Sequence, residues 1–213
     1  MNDLIQVFIE NIRETTTLEI IAVVFGLLSV WYAKSANILV FPTGIVSTVI
    51  YIFICFFAEL YADMGINLFY TGMSIYGWYM WASKDVNRRI RPIAWSTFKE
   101  QWFGIAGVFV FFWIILGLLW IFKADDSEYI NSYIPYIDAF TTAIFFVGMW
   151  FMARKKIENW IYWIIGDLIS VPLYFYKGLV FTSFQFFVFL ILAVMGFIQW
   201  RRIIELRKEA SSN

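Results

Sequence analysis

The sequence predicts an all-α integral membrane protein, with seven transmembrane helices in a 3+1+3 arrangement and a parallel pseudo-repeat. Three observations lead there. Of 213 residues, 62% are apolar and 15% charged, against about half and about a quarter in a soluble domain. The apolar residues gather in runs such as 101–122, 157–176 and 179–200, each near the roughly 20 residues that cross a hydrocarbon core. The basic residues, finally, divide unevenly among the loops between runs.

The first span is expected over 18–34. The stretch before it, MNDLIQVFIENIRETTTLE, has acids where a signal peptide would carry basic residues, so this span is expected to be retained. The second covers 37–59 and has a weak point at FPTG, 41–44; the third covers 64–82 and ends in SIYGWYMW. SKDVNRRIRPIAWSTFKEQ follows, expected to be irregular or a short surface helix. The fourth span is 102–122, and KADDSEYINSYIPYID after it is acidic and polar enough for an external loop. Spans five to seven are 134–152, 157–176 and 179–201, with a frayed tail, RKEASSN. The whole chain, 1–213, reads as one transporter domain: a first three-helix repeat (18–82), a connecting helix (102–122) and a second repeat (134–201).

Placing the N-terminus outside and the C-terminus in the cytoplasm puts thirteen basic residues inside and only Arg13, Lys123 and Lys177 outside. The inside set is Lys34, Lys84, Arg88, Arg89, Arg91, Lys99, Arg154, Lys155, Lys156, Arg201, Arg202, Arg207 and Lys208. An even number of spans would put a large basic cluster on the wrong side. The repeat is suggested by Trp31, Gly77 and Trp81, which recur 119 residues later as Trp150, Gly196 and Trp200. One span between two triplets makes both run the same way, with a pseudo-axis along the membrane normal.

Several function classes lack their parts. There is no histidine, Cys55 is the only cysteine, and neither H-E-x-x-H nor a phosphate-binding G-x-x-x-x-G-K-[ST] occurs, which argues against metal, thiol and ATP-hydrolysing chemistry. An enzyme is not expected, nor a metal or cofactor. Zero net charge points to no nucleic-acid partner, and homo-oligomerisation is left open.

The residue that asks for a function is Asp167. It follows a basic cluster by about 16 Å of helix rise, which puts it near the bilayer midplane, where an aspartate costs about 2.5–3.5 kcal/mol. Trp160 and Trp163 share its helical face. Trp160 alone could be an interfacial anchor, and Asp167 alone a strut bonded to a neighbouring helix; together they suit a cavity that binds a flat, ring-bearing cation. Asn67 and Tyr70, with Ser74 one turn on, and Gln185 in the seventh span could face the same cavity, although each alone reads equally as inter-helix glue. No lysine or arginine occurs at the midplane of any span, so a phosphate would find no counter-charge. Asp138 reads as structural at a helix N-terminus, Glu59 and Asp63 as solvated, and Cys55 as core.

The pattern W-x-x-W-x-x-x-[N/D], here Trp160, Trp163 and Asp167 after Glu158-Asn159, resembles the signature of the PnuC vitamin-transporter family. SIYGWYMW and YKGLVFTS extend the likeness over nearly the whole chain. The resemblance implies facilitated diffusion of a dephosphorylated vitamin precursor across the bacterial cytoplasmic (inner) membrane, most often nicotinamide riboside, trapped by a cytoplasmic kinase. Related members carry thiamine, riboflavin or deoxynucleosides. Aspartate in place of asparagine departs from the nicotinamide-riboside pattern and suits nicotinamide riboside or thiamine, both cationic. An ion-coupled transporter with Asp167 as the ion site is the alternative.

Overall fold

The side chain of Thr16 starts the first helix by accepting a hydrogen bond from the Glu19 N–H at 3.2 Å. The computed structural model describes residues 16–83 and 91–212. Arg13, Lys84, Arg88 and Arg89, the leader before Thr16 and the middle of the segment after the third span lie outside the described residues. Among the described residues there are eight helices: α1 Thr17–Lys34, α2 Val40–Phe57, α3 Tyr61–Ala82, α4 Phe98–Phe122, α5 Ser127–Ile130, α6 Ile134–Ala153, α7 Asn159–Tyr176 and α8 Val180–Ser212. Five of them, α1, α2, α4, α6 and α8, are long and apolar enough to cross a membrane.

Four details differ from the sequence-based expectation. The eighth helix is α5, a single turn inside the acidic loop, started by Asp126 accepting from the Tyr129 N–H. The expected weak point at 41–44 is a helix start: Pro42 falls in the first turn of α2, where its missing N–H would have had no partner. The fourth helix begins at Phe98, because Thr97 and Glu100 form a reciprocal capping box. The last helix extends past its apolar run to Ser212, with Arg201 paired to Glu205 one turn on. Pro172 lies within a continuous α7.

The helices pack in a ring. Neighbours in sequence touch within α1–α2–α3 and within α6–α7–α8, while α1 meets α8 and α3 meets α6. Outside the ring, α4 lies against α6 through Ile115, Leu116 and Leu119, facing Ala139, Ala143 and Phe146. Its other side exposes Trp102, Phe103, Phe109 and Trp113, the surface a lipid-facing helix requires. Flanked by α3, α4 and α7, α6 is the most enclosed of the long helices.

Backbone geometry recurs at a spacing of 119 residues. Ala36 and Lys155 both take positive φ (53° and 56°) in the tight turns after α1 and α6. Glu59 and Gly178 do so (60° and 75°) after α2 and α7. The turn hydrogen bonds match as well: Asn37 N–H to Tyr32 O and Lys156 N–H to Phe151 O, then Leu60 N–H to Cys55 O and Leu179 N–H to Tyr174 O. Between the halves, the Trp81 indole donates to Met152 O at 3.2 Å and the Trp200 indole to Ala33 O at 3.0 Å. Gly77 lies under the Phe41 ring and Gly196 under the Trp160 ring, so that a Cβ would come within 2.3 and 2.5 Å of ring carbons. No side chain fits there, and these are two glycines the sequence pattern had singled out.

Those indoles, with Phe41, Trp160, Met149 and Met152, form the main buried cluster. The same end gathers basic residues. The Lys155 ammonium lies 4.5 Å over the Trp81 ring, and burial, then the nearby Arg207, lower its pKa. Arg207 donates to Ile93 O, and Ala94 bridges the turn after α6, donating to Lys155 O and accepting from Ile157 N–H. Glu158 accepts from both the N–H and the hydroxyl of Ser96. The stretch before α4 is thereby fastened to the turn between α6 and α7.

Candidate ligand-binding cavity

Inside the ring is a cavity of about 650 Å³, large enough for a nucleoside-sized ligand. The structure brings all six residues singled out from sequence, Trp160, Trp163, Asp167, Asn67, Tyr70 and Gln185, to its lining. They do not occupy equivalent places. Trp160 is only 1% exposed; it packs edge-on to Trp200 at 5.6 Å and closes the floor over Gly196. It is not stacked with Trp163. The nearest ring to Trp163 is Phe145, at 5.3 Å, and Phe145 stacks on Phe186, which stacks on Tyr174. The aromatic wall is therefore a ladder of four rings on α6, α7 and α8, of which sequence reasoning found only Trp163.

Asp167 is 1% exposed, and among the described residues neither carboxylate oxygen has a hydrogen-bond partner. An isolated buried carboxylate of this kind is expensive in a folded protein. The strut reading expected a neighbouring helix to bond it, and no such bond exists among the described residues. The Trp160 indole N–H is likewise buried without a partner. Asn67 anchors itself, donating to Asp63 O one turn back.

The charged residues stand at the far end from Trp160. Lys177 pairs with Asp138 at 2.7 Å, and the Tyr129 hydroxyl donates to the same carboxylate at 2.7 Å. Burial, then that hydrogen bond, push the Tyr129 phenol above its ordinary range. Asp138, read from sequence as a helix-terminal acid, thus joins α6 to the turn after α7 and to α5. Asp63 is half-buried at the same end and lines the cavity, whereas Glu59 is exposed and Cys55 is buried. Lys123 and Lys177 are the basic lining residues, and Lys177 lies ten residues, about 15 Å of helix rise, beyond Asp167. The site can therefore hold a ring against aromatic faces and a positive or donor-rich group at Asp167, and it presents no cation beside that carboxylate.

Of the far wall, sequence reasoning found only Ser74, beside Asn67 and Tyr70. That wall consists of small and hydroxyl residues on α1, α2 and α3, among them Ser29, Gly44, Ser47, Thr48 and Ser74. The 119-residue spacing read from the tryptophans, applied to Trp163 and Asp167, would have pointed to Gly44 and Thr48.

The sequence model of the nicotinamide mononucleotide transporter family matches residues 16–202. The chain is 24% identical over 201 residues to the nicotinamide riboside transporter PnuC of Escherichia coli, covering 86% of this chain and 84% of that one. It is 26% identical over 180 residues to the riboflavin/roseoflavin transporter RibM of Streptomyces davaonensis, covering 83% and 81%. Its fold matches the crystal structure of the vitamin B3 transporter PnuC with a TM-score of 0.67 at 19% identity, over 95% of this chain and 90% of that one. Apolar helices, ring architecture and family match agree, and the chain belongs to the PnuC family of integral membrane transporters.

Proposed function

We propose that this protein carries a dephosphorylated, ring-bearing vitamin across the bacterial cytoplasmic membrane by facilitated diffusion, with nicotinamide riboside as the substrate. The observation that carries the reading is Asp167: a buried carboxylate with two unpartnered oxygens, in an aromatic-walled cavity whose basic residues stand at one end. A pyridinium riboside supplies what that arrangement lacks, namely a positive ring for the aromatic faces and hydroxyl donors for the carboxylate. Trp160, Trp163, Asp167, Asn67, Tyr70 and Gln185 are the proposed contacts. The family description speaks of a mononucleotide, but a phosphate brought beside Asp167 would meet like charge. Thiamine is the second reading, since it too is a flat cation.

In this reading seven helices cross the bilayer, with α3 and α7 contributing the polar lining that sets them apart from the other five. The arrangement is 3+1+3, with α4 as connector and a parallel pseudo-repeat. Its support is the recurrence of turns, glycine contacts and indole hydrogen bonds at a spacing of 119 residues. The basic end that holds Lys34, Lys155 and Arg207 is cytoplasmic, and the C-terminus with it. A cytoplasmic kinase traps the incoming vitamin as its phosphate and supplies the driving force.

Purified protein in liposomes tests this directly. Nicotinamide riboside should equilibrate without ATP or an ion gradient, and should accumulate only when a riboside kinase and ATP are enclosed. Binding of nicotinamide mononucleotide as tight as that of the riboside would refute the phosphate argument. Uptake that requires a proton or sodium gradient would favour Asp167 as an ion site instead.

A further inference from the structure

The two halves of the ring build the cavity wall from opposite materials at matching positions. In the second half, Phe145 packs over Gly166 and the Trp163 indole against Gly148; a Cβ on those glycines would lie 2.3 and 3.3 Å from the rings. In the first half, 119 residues earlier, the same places are Gly26 over Ser47 and Gly44 over Ser29, with 3.2 and 3.0 Å to the hydroxyl oxygens. Rings have been replaced by glycine, and glycine by serine. Room that aromatic side chains fill on one side is left open on the other.

The open wall also has one hydrogen-bonding sense. Ser29 donates its hydroxyl hydrogen to Val40 O and Ser47 donates to Ala22 O. Thr48 and Thr71 share a hydrogen bond with each other, and each also donates to or lies within reach of the carbonyl one turn back. With hydrogens committed to the backbone, the oxygens of Ser29 and Ser47 offer lone pairs to the cavity. Asp167, the repeat mate of Thr48, adds two unpartnered acceptor oxygens. Ser74 has no hydrogen-bond partner among the described residues and faces Gly44.

We infer that the α1–α3 wall is a polyol subsite: it accepts hydrogen bonds from the hydroxyl-bearing substituent of the ligand, while the aromatic ladder of α6–α8 takes the ring. The inference rests on the transport reading above and deepens it. The preferred ligand is a flat cation that carries several hydroxyl donors, and a bare ring cation is a poor one. Gly44 and Gly26 set the size of that substituent, because a larger residue at either would occupy its space.

The test compares nicotinamide riboside with N-methylnicotinamide, the same ring cation without the sugar, by calorimetric competition on the detergent-purified full chain. Thr48→Val and Ser74→Ala together should weaken the riboside about tenfold or more, the loss of one to two hydrogen bonds, and leave N-methylnicotinamide unchanged, with the melting temperature lowered only by the loss of the Thr48–Thr71 bond. Ser74→Ala alone, which breaks no internal bond, should shift the riboside in the same direction. A ratio of the two affinities that the substitutions do not move overturns the subsite. So does wild-type protein that binds N-methylnicotinamide as tightly as the riboside. Wild-type protein that binds neither overturns the transport reading, and the subsite with it.

Discussion

Replacing Asp167 separates a binding residue from a structural one, because the two roles predict opposite signs. The carboxylate has no internal hydrogen bond to lose and is 1% exposed. Its removal therefore relieves a buried charge rather than breaking a pair, and the empty protein should be as stable or more stable. The cavity that Asp167→Ala leaves merges with space already present, so little packing is forfeited. Ligand affinity should fall, since a desolvated hydrogen bond to a charged group is worth about 1.5–3 kcal/mol, or roughly ten- to hundredfold. Asp167→Asn keeps one acceptor and should lose less if the contact is to hydroxyls, but as much as alanine if the contact is to the cation. The assay is titration calorimetry of both variants with nicotinamide riboside, beside thermal melts in the same detergent. An alanine variant that binds normally but melts lower would make Asp167 a strut and refute the site.

Three further outcomes are expected. Gly77→Ala and Gly196→Ala should each lower stability by about 1–3 kcal/mol, because the added methyl meets an aromatic ring at contact distances no rotamer relieves; melts of the two variants should shift alike, and a neutral effect at both would contradict the close approach. Glu59→Gly should raise stability by up to about 1 kcal/mol, since Glu59 holds a left-handed backbone where its counterpart is Gly178; a lower melting temperature would count against it. Lys177→Met should lower the melting temperature and leave riboside affinity within about twofold, since it breaks the Asp138 pair some 15 Å from Asp167; a tenfold affinity loss would place ligand at the charged end instead.

Helix positions were legible in the sequence because hydrophobic runs of membrane length are a strong signal, and seven observed helices begin or end within about three residues of where the runs do. Helix ends were less so. Phe98 starts α4 early through a capping box that composition does not weigh, and α8 outlasts its apolar run because charged residues one turn apart sustain a helix in water. The polar half of the site was visible as Asp167, Asn67 and Gln185, residues that stand out in apolar spans. The ladder of Phe145, Phe186 and Tyr174 was not, since an aromatic facing a cavity and one facing lipid look the same in sequence. The recurrence at 119 residues was only partly legible for a related reason. It is kept in backbone turns such as Ala36 with Lys155, where residue identity differs completely, and in contacts where the large and small partners have changed places.

The two indole hydrogen bonds have a consequence for how such a ring moves. Trp81 reaches from α3 to the end of α6, and Trp200 from α8 to the end of α1, so each ties one half of the ring to the other at the basic end. At the opposite end the Lys177–Asp138–Tyr129 cluster joins α5, α6 and the turn after α7, and among the described residues no hydrogen bond links α1–α3 with α6–α8 there. The molecule is thus latched on one side and unlatched on the other. Any motion that parts α3 from α6 and α8 from α1 at the basic end has to break these bonds. Two neutral hydrogen bonds amount to about 1–3 kcal/mol, a contribution of roughly five- to a hundred-and-fifty-fold in favour of the latched form. That is small enough for thermal motion to cross and large enough for a bound ligand to tip.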